Sequence, residues 1–268
     1  MKDIRYVALA GLLVGAMLFF LSAPRNADAD KVIHQTAVAQ SAIPPAIAVA
    51  VNSPDRPAAD KERDTSRRPE QMMAFFGIAP GMQVADLWAG GGYTTELLAR
   101  VVGPSGKVYS QNIEFPEKSK DAETAWKVRT SEPGLSNVIE VTKPFDAPDL
   151  LPVPAGTLDA VIINLNYHDL VARNFDRTKV NAAVMKALKP GGVYGLVDNS
   201  AKAGSGARDA DTLHRIDEQF ETDEITKAGF RLVADADFLR NPKDDRSLPF
   251  WKMNHEQDRF VLKFVKPE

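Results

Sequence analysis

The chain has 268 residues, enough for one large domain or two small ones, and 44% of them are apolar, enough for a sizeable core. Its formal charge is 33 minus 36, or -3, with no long basic run, which argues against wholesale binding of nucleic acid through the phosphate backbone. There is no cysteine, which excludes disulfides, thiolate metal sites, a cysteine nucleophile and a lipidated N-terminal cysteine.

Residues 1–29 have the pattern of an export signal. Lys2 and Arg5 give a short basic start, Val7 to Leu21 is an apolar run, and Ala27-Asp28-Ala29 puts small residues at the two positions a signal peptidase reads. The run falls short of the ~20 apolar residues of a membrane span. Cleavage after Ala29 would leave Asp30 first, so an exported, periplasmic protein is expected; a retained membrane anchor is the alternative. Residues 30–63 are rich in Ala, Val, Pro and Ser, with Pro44-Pro45, Pro54 and Pro57 and no sustained period, and read as a flexible linker or arm. The folded domain is expected over 64–268.

Pro69 to Phe76 spaces Met72, Met73, Phe75 and Phe76 as in a packed helix, and Ala79-Pro80-Gly81 breaks the chain after it. Next comes QVADLWAGGGYTTELLAR, Gln83 to Arg100. The apolar run Val84 to Leu87, the glycines Gly90-Gly91-Gly92 and the helical spacing of Leu97, Leu98, Val101 and Val102 predict strand, sharp turn and helix. Glycines there let a ligand approach the backbone. The dinucleotide fingerprint fails because Thr95 stands where its third glycine belongs, and no Lys-Ser or Lys-Thr follows to make a phosphate loop. With Asp86 before the turn and Tyr93-Thr94 after it, the stretch resembles the first motif of class I S-adenosylmethionine-dependent methyltransferases.

Lys107 to Gln111 reads as a second strand, ending at Asn112 with Glu114 beyond. Pro116 to Thr130 reads as a helix and Asn137 to Thr142 as a third strand, with Asp146 in the loop that follows. Thr157 to Leu165 has the near-continuous apolar run of a central parallel strand, and Asn166-Tyr167-His168-Asp169 stands at its carboxyl end, where open α/β sheets hold ligands. Asp176 to Leu188 predicts an amphipathic helix, and Lys189-Pro190-Gly191-Gly192 leads into the strand Val193 to Val197, closed by Asp198. The segment ALKPGGVYGLVD resembles a second landmark of the same family. A glycine-rich loop, Ala201 to Gly206, precedes one helix or two over Asp211 to Lys227, which carry His214 and Arg215. Phe230 to Phe238 and Arg259 to Val265 read as strands around a hairpin-like excursion containing Trp251 and His255.

The resemblance covers about Arg67 to Glu268 and extends, through NLNYHDL, DTLHRIDE and FVLKFVKP, to a group of predicted bacterial methyltransferases, many with export signals. It implies an α/β fold: a Rossmann-like, doubly wound, mostly parallel seven-stranded sheet with helices on both faces and an antiparallel last strand. It implies S-adenosylmethionine as cofactor, held by Asp86, Ala89, Gly90, Gly92, Tyr93 and Asn164, with Asn112 or Glu114 at the ribose and Asp146 at the adenine. The expected second ribose-strand residue is acidic in the family, and Asn112 departs from that pattern.

On the acceptor side His168 is the candidate general base, since an imidazole titrating near ~6.5 accepts a proton at neutral pH. Asp169, Asp198, His214 and Arg215 are candidates to complete the pocket. Neighbours on a strand point to opposite faces, so Asp169 can orient His168 only from another conformation. Methyl transfer from a sulfonium requires no metal, and none is expected. The reading is an enzyme methylating a small-molecule or unidentified acceptor; a non-catalytic binding protein on the same fold is the alternative. A nicotinamide-dependent oxidoreductase is disfavoured by Thr95. No nucleic-acid partner is indicated, and membrane contact is expected only through residues 1–29. An exported enzyme would have to obtain a cofactor made in the cytoplasm.

Overall fold

The computed structural model describes the backbone of residues 33–35 and all of residues 43–268; the signal or anchor expected at 1–29 lies outside the described residues. The core is a single sheet. Its strands are β1 (Ile33–Gln35), β2 (Gln83–Leu87), β3 (Lys107–Asn112), β4 (Val138–Thr142), β5 (Leu158–Asn164), β6 (Leu188–Asn199), β7 (Arg231–Ala236) and β8 (Arg259–Val265). They lie in the order β1-β7-β8-β6-β5-β2-β3-β4. Pairing is parallel from β4 through β3, β2 and β5 to β6, while β8 runs antiparallel between β6 and β7. This is the mostly parallel seven-stranded sheet with an antiparallel last strand that the sequence leads one to expect. The short β1 adds an eighth strand, parallel to β7.

Strand alternation splits the apolar residues between two cores. Val84, Ile162 and Val197 face helices α3 (Pro69–Phe76) and α4 (Tyr93–Val102), meeting Met72, Met73, Phe76, Leu97 and Leu98. Ala85, Val161, Ile163 and Leu196 face the opposite layer, with Leu170 of α6 (Tyr167–Ala172), Val180 and Val184 of α7 (Arg177–Ala187) and Ile225 of α9 (Glu218–Lys227). A β-carbon on Gly195 in β6 would stand 2.8 Å from the Phe76 ring, so the glycine lets α3 lie directly on the sheet.

The linker expected over 30–63 is corrected. It contains β1, helix α1 (Pro45–Val51) and most of helix α2 (Ala58–Arg67). Its prolines begin helices: Pro45 fills the first turn of α1 and Pro57 directly precedes α2. Ile47, Ala50 and Val51 are buried in the first core. The hairpin expected near Trp251 is an irregular loop with one 3-10 turn at Phe250–Lys252. The helix over 211–227 is two: α8 (Ala210–Leu213) and α9, parted at His214. Among the described residues no helix is long and apolar enough to cross a membrane.

Candidate functional site

The chain leaves β2 toward β3 on one side, and β5 returns on the other. The strand order therefore reverses between β2 and β5, and a crevice opens at their carboxyl ends. A cleft of about 820 Å³ occupies this position, running from the glycine turn past Asn164 to His168, Asp169 and His214.

The turn is held from beneath. Gly90 has φ 55°, and a β-carbon there would meet nothing within 4 Å, so the glycine leaves open cleft space against the backbone. Asn112 accepts from the Gly90 N–H at 2.8 Å and donates to the Gly90 carbonyl at 3.2 Å. Its amide is thus spent on the turn and is 1% exposed. Glu114 and Asp146 are exposed, and neither lines the cleft. The ribose and adenine contacts expected of these three are therefore not what the geometry provides. An acidic residue that does line the cleft beside the glycines is Asp121, in the first turn of α5 (Lys120–Thr130). The sequence signal for it was its place at the start of the helix after the second expected strand.

Asp86 is 1% exposed, and its carboxylate accepts from the Thr95 hydroxyl at 2.6 Å. Burial pushes its carboxyl up to about 7, against the opposing pull of that hydrogen bond. Thr95, the residue that breaks the dinucleotide fingerprint, thus anchors the acidic residue of the turn. Ala89 and Tyr93 line the cleft, and Asn164 does so while donating to the Thr94 hydroxyl at 3.1 Å.

Helix α2 covers this end. The Tyr93 hydroxyl donates to Asp64 at 2.7 Å, and Arg56 grips the same carboxylate at 2.7 and 2.9 Å. Asp60 pairs with Arg129 at 2.7 Å, and Arg129 also pairs with the buried Glu96 and donates to the Gly91 carbonyl at 3.0 Å. Arg67 lies 4.5 Å over the Tyr93 ring and lines the cleft with Arg259. Burial and the nearby Arg67 charge pull the Arg259 guanidinium down to about 10. The contacts of Arg56 and Asp60 come from the stretch expected to be linker, and those of Asp64 and Arg67 from the start of the expected domain.

At the other end, His168 and Asp169 lie in the first turn of α6, about 100° apart around its axis, so both reach the same neighbour. His168 Nδ1 is 2.6 Å from Asp198 Oδ1, and the His168 backbone N–H donates to Asp198 Oδ2 at 2.8 Å. His168 Nε2 lies 3.3 Å from His214 Nδ1, which lies 3.3 Å from Asp169 Oδ1. Burial of His168 opposes protonation, but the charge and hydrogen bond of Asp198 outweigh it and leave the imidazole above its ordinary value. Burial raises the Asp169 carboxyl, while the hydrogen bond to His214 and the His168 charge pull it net below the carboxylate range.

His214 adopts φ 48°, the left-handed conformation that parts α8 from α9 and turns its ring toward His168. Arg215 behind it is fully buried. It pairs with Asp244 at 2.8 Å and donates to the Leu248 and Ser200 carbonyls at 2.8 and 2.9 Å. It therefore pins the loop that brings Phe250 and Trp251 against His214, at 6.0 and 5.3 Å between ring centres. Arg215 is a positioning residue and does not itself line the cleft.

No family model matches the chain. Solved structures share its fold. A SAM-dependent methyltransferase from Aquifex aeolicus superposes with TM-score 0.55 at 19% identity, over 78% of this chain and 98% of that one. An arsenic (III) S-adenosylmethionine methyltransferase from Chlamydomonas reinhardtii gives 0.53 at 18% identity, over 84% and 74%. The [4+2]-cyclase SpnF gives 0.55 at 18% identity, over 78% and 81%. The architecture is therefore that of the S-adenosylmethionine-dependent methyltransferases. A fold shared with a cyclase does not fix the chemistry, which has to be argued from the site.

Proposed function

We propose that this chain binds S-adenosylmethionine against the glycine turn and transfers its methyl group to a small acceptor seated beside His168. The observation that carries the reading is a single cleft joining the Gly90 turn to the His168, Asp169 and His214 cluster. The residues fit the cofactor: Gly90 leaves the backbone open, and Asp86 offers a buried carboxyl whose cost of ionisation an ammonium group would offset.

When bound, the cofactor supplies a sulfonium methyl for in-line displacement: the acceptor lone pair forms the new bond to carbon, and the sulfur keeps the electrons of the bond that breaks. Asp86 would orient the ammonium, Arg67 would provide positive charge for the carboxylate, and Asp121 rather than Glu114 or Asn112 would take the ribose hydroxyls. Asp198 receives the His168 Nδ1 proton as a hydrogen bond, which leaves Nε2 as a lone pair facing the cleft. With no ion in the site, that lone pair takes the acceptor proton. Helix α2 and the Phe250-Trp251 loop exclude water from the two ends.

Calorimetric titration of the full chain with S-adenosylmethionine and with its demethylated product tests the reading, with Gly90→Arg as control. Saturable binding that the variant loses supports it. A folded chain that binds neither ligand would sink it.

A further inference from the structure

The cluster at the acceptor end offers more than a proton acceptor. We propose that His168 Nε2, His214 Nδ1 and the Asp169 carboxylate bind one divalent transition-metal ion of the zinc type. The three side chains bring donor atoms within 4.8 Å of one another. Two of the separations are 3.3 Å, and His168 Nε2 to Asp169 Oδ2 is 3.8 Å. Donors bound to one tetrahedral ion at ~2.0–2.1 Å stand about 3.3–3.4 Å from each other, so the two edges at His214 already match, while the 3.8 Å edge from His168 runs to the other carboxylate oxygen, Oδ2, and the triangle closes by a rotation of the Asp169 side chain.

Proton bookkeeping points the same way. His168 directs Nδ1 at Asp198, and the neutral ring that donates there carries its lone pair on Nε2, 3.3 Å from another imidazole nitrogen. A carboxylate bonded to the far nitrogen of a metal-binding histidine fixes the tautomer and raises the donor strength of the near one. Asp198 is placed for that task and is itself fully buried. The donors are also pre-set by the fold. His168 and Asp169 share the first turn of α6, and His214 is held in a left-handed conformation with its carbonyl accepting from Asn199 at 3.1 Å. Two imidazoles and one carboxylate suit zinc, cobalt(II) or iron(II) better than magnesium or calcium, which favour oxygen alone.

All three residues line the cleft, so three protein ligands leave a position open on the cleft side. An acceptor hydroxyl at that position would give up its proton to solvent more readily and would keep the lone pair that forms the bond to the methyl carbon. This use of the ion rests on the proposed methyl transfer; the binding of the ion does not.

The test uses the untagged full chain, stripped with chelator and titrated calorimetrically with zinc chloride, with cobalt(II) absorption spectra read in parallel. One equivalent should bind, with the intense visible bands of tetrahedral cobalt, and both His214→Gln and Asp169→Asn should lower affinity about tenfold or more. Melting curves show whether each variant is folded. No saturable binding by the folded, stripped chain would overturn the site in favour of a hydrogen-bonded histidine relay. Unchanged affinity in both folded variants would also overturn it, by placing the ion elsewhere. A parallel titration with S-adenosylmethionine tells failure of this inference from failure of the methyl-transfer reading.

Discussion

Asp198 binds His168 at two points, taking its backbone N–H at 2.8 Å and its imidazole at 2.6 Å. The carboxylate thus fixes both the position of α6 and the direction of the ring it carries. Asp198→Asn keeps the shape and removes the charge. Methyl transfer is expected to fall by about 10–100-fold, chiefly in kcat, with zinc affinity falling in step. Single-turnover rates and metal titration of one preparation check this; equal rates for variant and parent would remove Asp198 from the machinery.

Gly90→Ala separates folding from binding. The new methyl meets no protein atom within 4 Å, so the folding cost is confined to the backbone at φ 55°, about 1–2 kcal/mol. The same methyl occupies the space assigned to the cofactor, and affinity for S-adenosylmethionine is expected to drop at least tenfold. Thermal melts and calorimetry measure the two effects. Unaltered affinity would mean that the ligand lies away from this backbone.

Arg129 joins three parts of the site: Asp60 on α2, Glu96 on α4 and the Gly91 carbonyl. Arg129→Ala leaves buried carboxylates with fewer partners and should destabilise the fold by about 3 kcal/mol, the lower end for breaking a buried pair, because Arg100 still reaches Glu96 at 2.8 Å. Cofactor affinity should fall as well, since the cover loses its tie across the cleft. Urea unfolding together with ligand titration would show both losses; a loss of stability with intact affinity would deny α2 a part in binding.

Glu221 is fully buried, and neither of its carboxyl oxygens has a hydrogen-bond partner among the described residues. Burial, then the charge of Asp198, hold its carboxyl well above the ordinary glutamate range, which favours the neutral form in the folded chain. A carboxyl raised in this way stabilises the fold while protonated, and that contribution is lost as pH rises through its folded value. Glu221→Gln, which cannot ionise, should therefore keep its melting temperature as pH rises above the ordinary glutamate range, where the parent declines. Parallel curves for the two proteins would contradict the neutral assignment.

The parts of the fold that announced themselves in the sequence are those fixed by local rules. The glycine turn after β2, the apolar run of β5 and the Lys-Pro-Gly-Gly irregularity within β6 are each marked by apolar runs or turn residues. His168, Asp198 and His214 could be picked out because polar residues at strand ends and loop edges face the crevice. What stayed hidden depends on distant partners. Asn112 and Glu114 were both candidates through the family resemblance, yet one is consumed by the turn and the other is exposed and does not line the cleft. Arg215 was expected to complete the pocket, but it pairs with Asp244 in the interior and does not line the cleft. Helix α2 was missed because its residues are mostly polar and the prolines before it look like breaks; its order comes from Asp60 and Asp64 meeting Arg129 and Tyr93 far along the chain, with Arg56 clamped on Asp64.

The chain has three tryptophans, and the cleft claims two of them, Trp88 and Trp251, while Trp126 is shut away in the core. Trp88 lies between the Phe145 ring at 4.9 Å and the Arg173 guanidinium at 4.9 Å, and Trp251 rests on His214. Ultraviolet emission from the unlabelled protein is therefore weighted toward the two ends of one crevice. Occupants of the glycine end and of the histidine end should quench or shift different fluorophores, so the molecule carries a built-in two-point optical gauge for sorting unknown ligands by where they lodge.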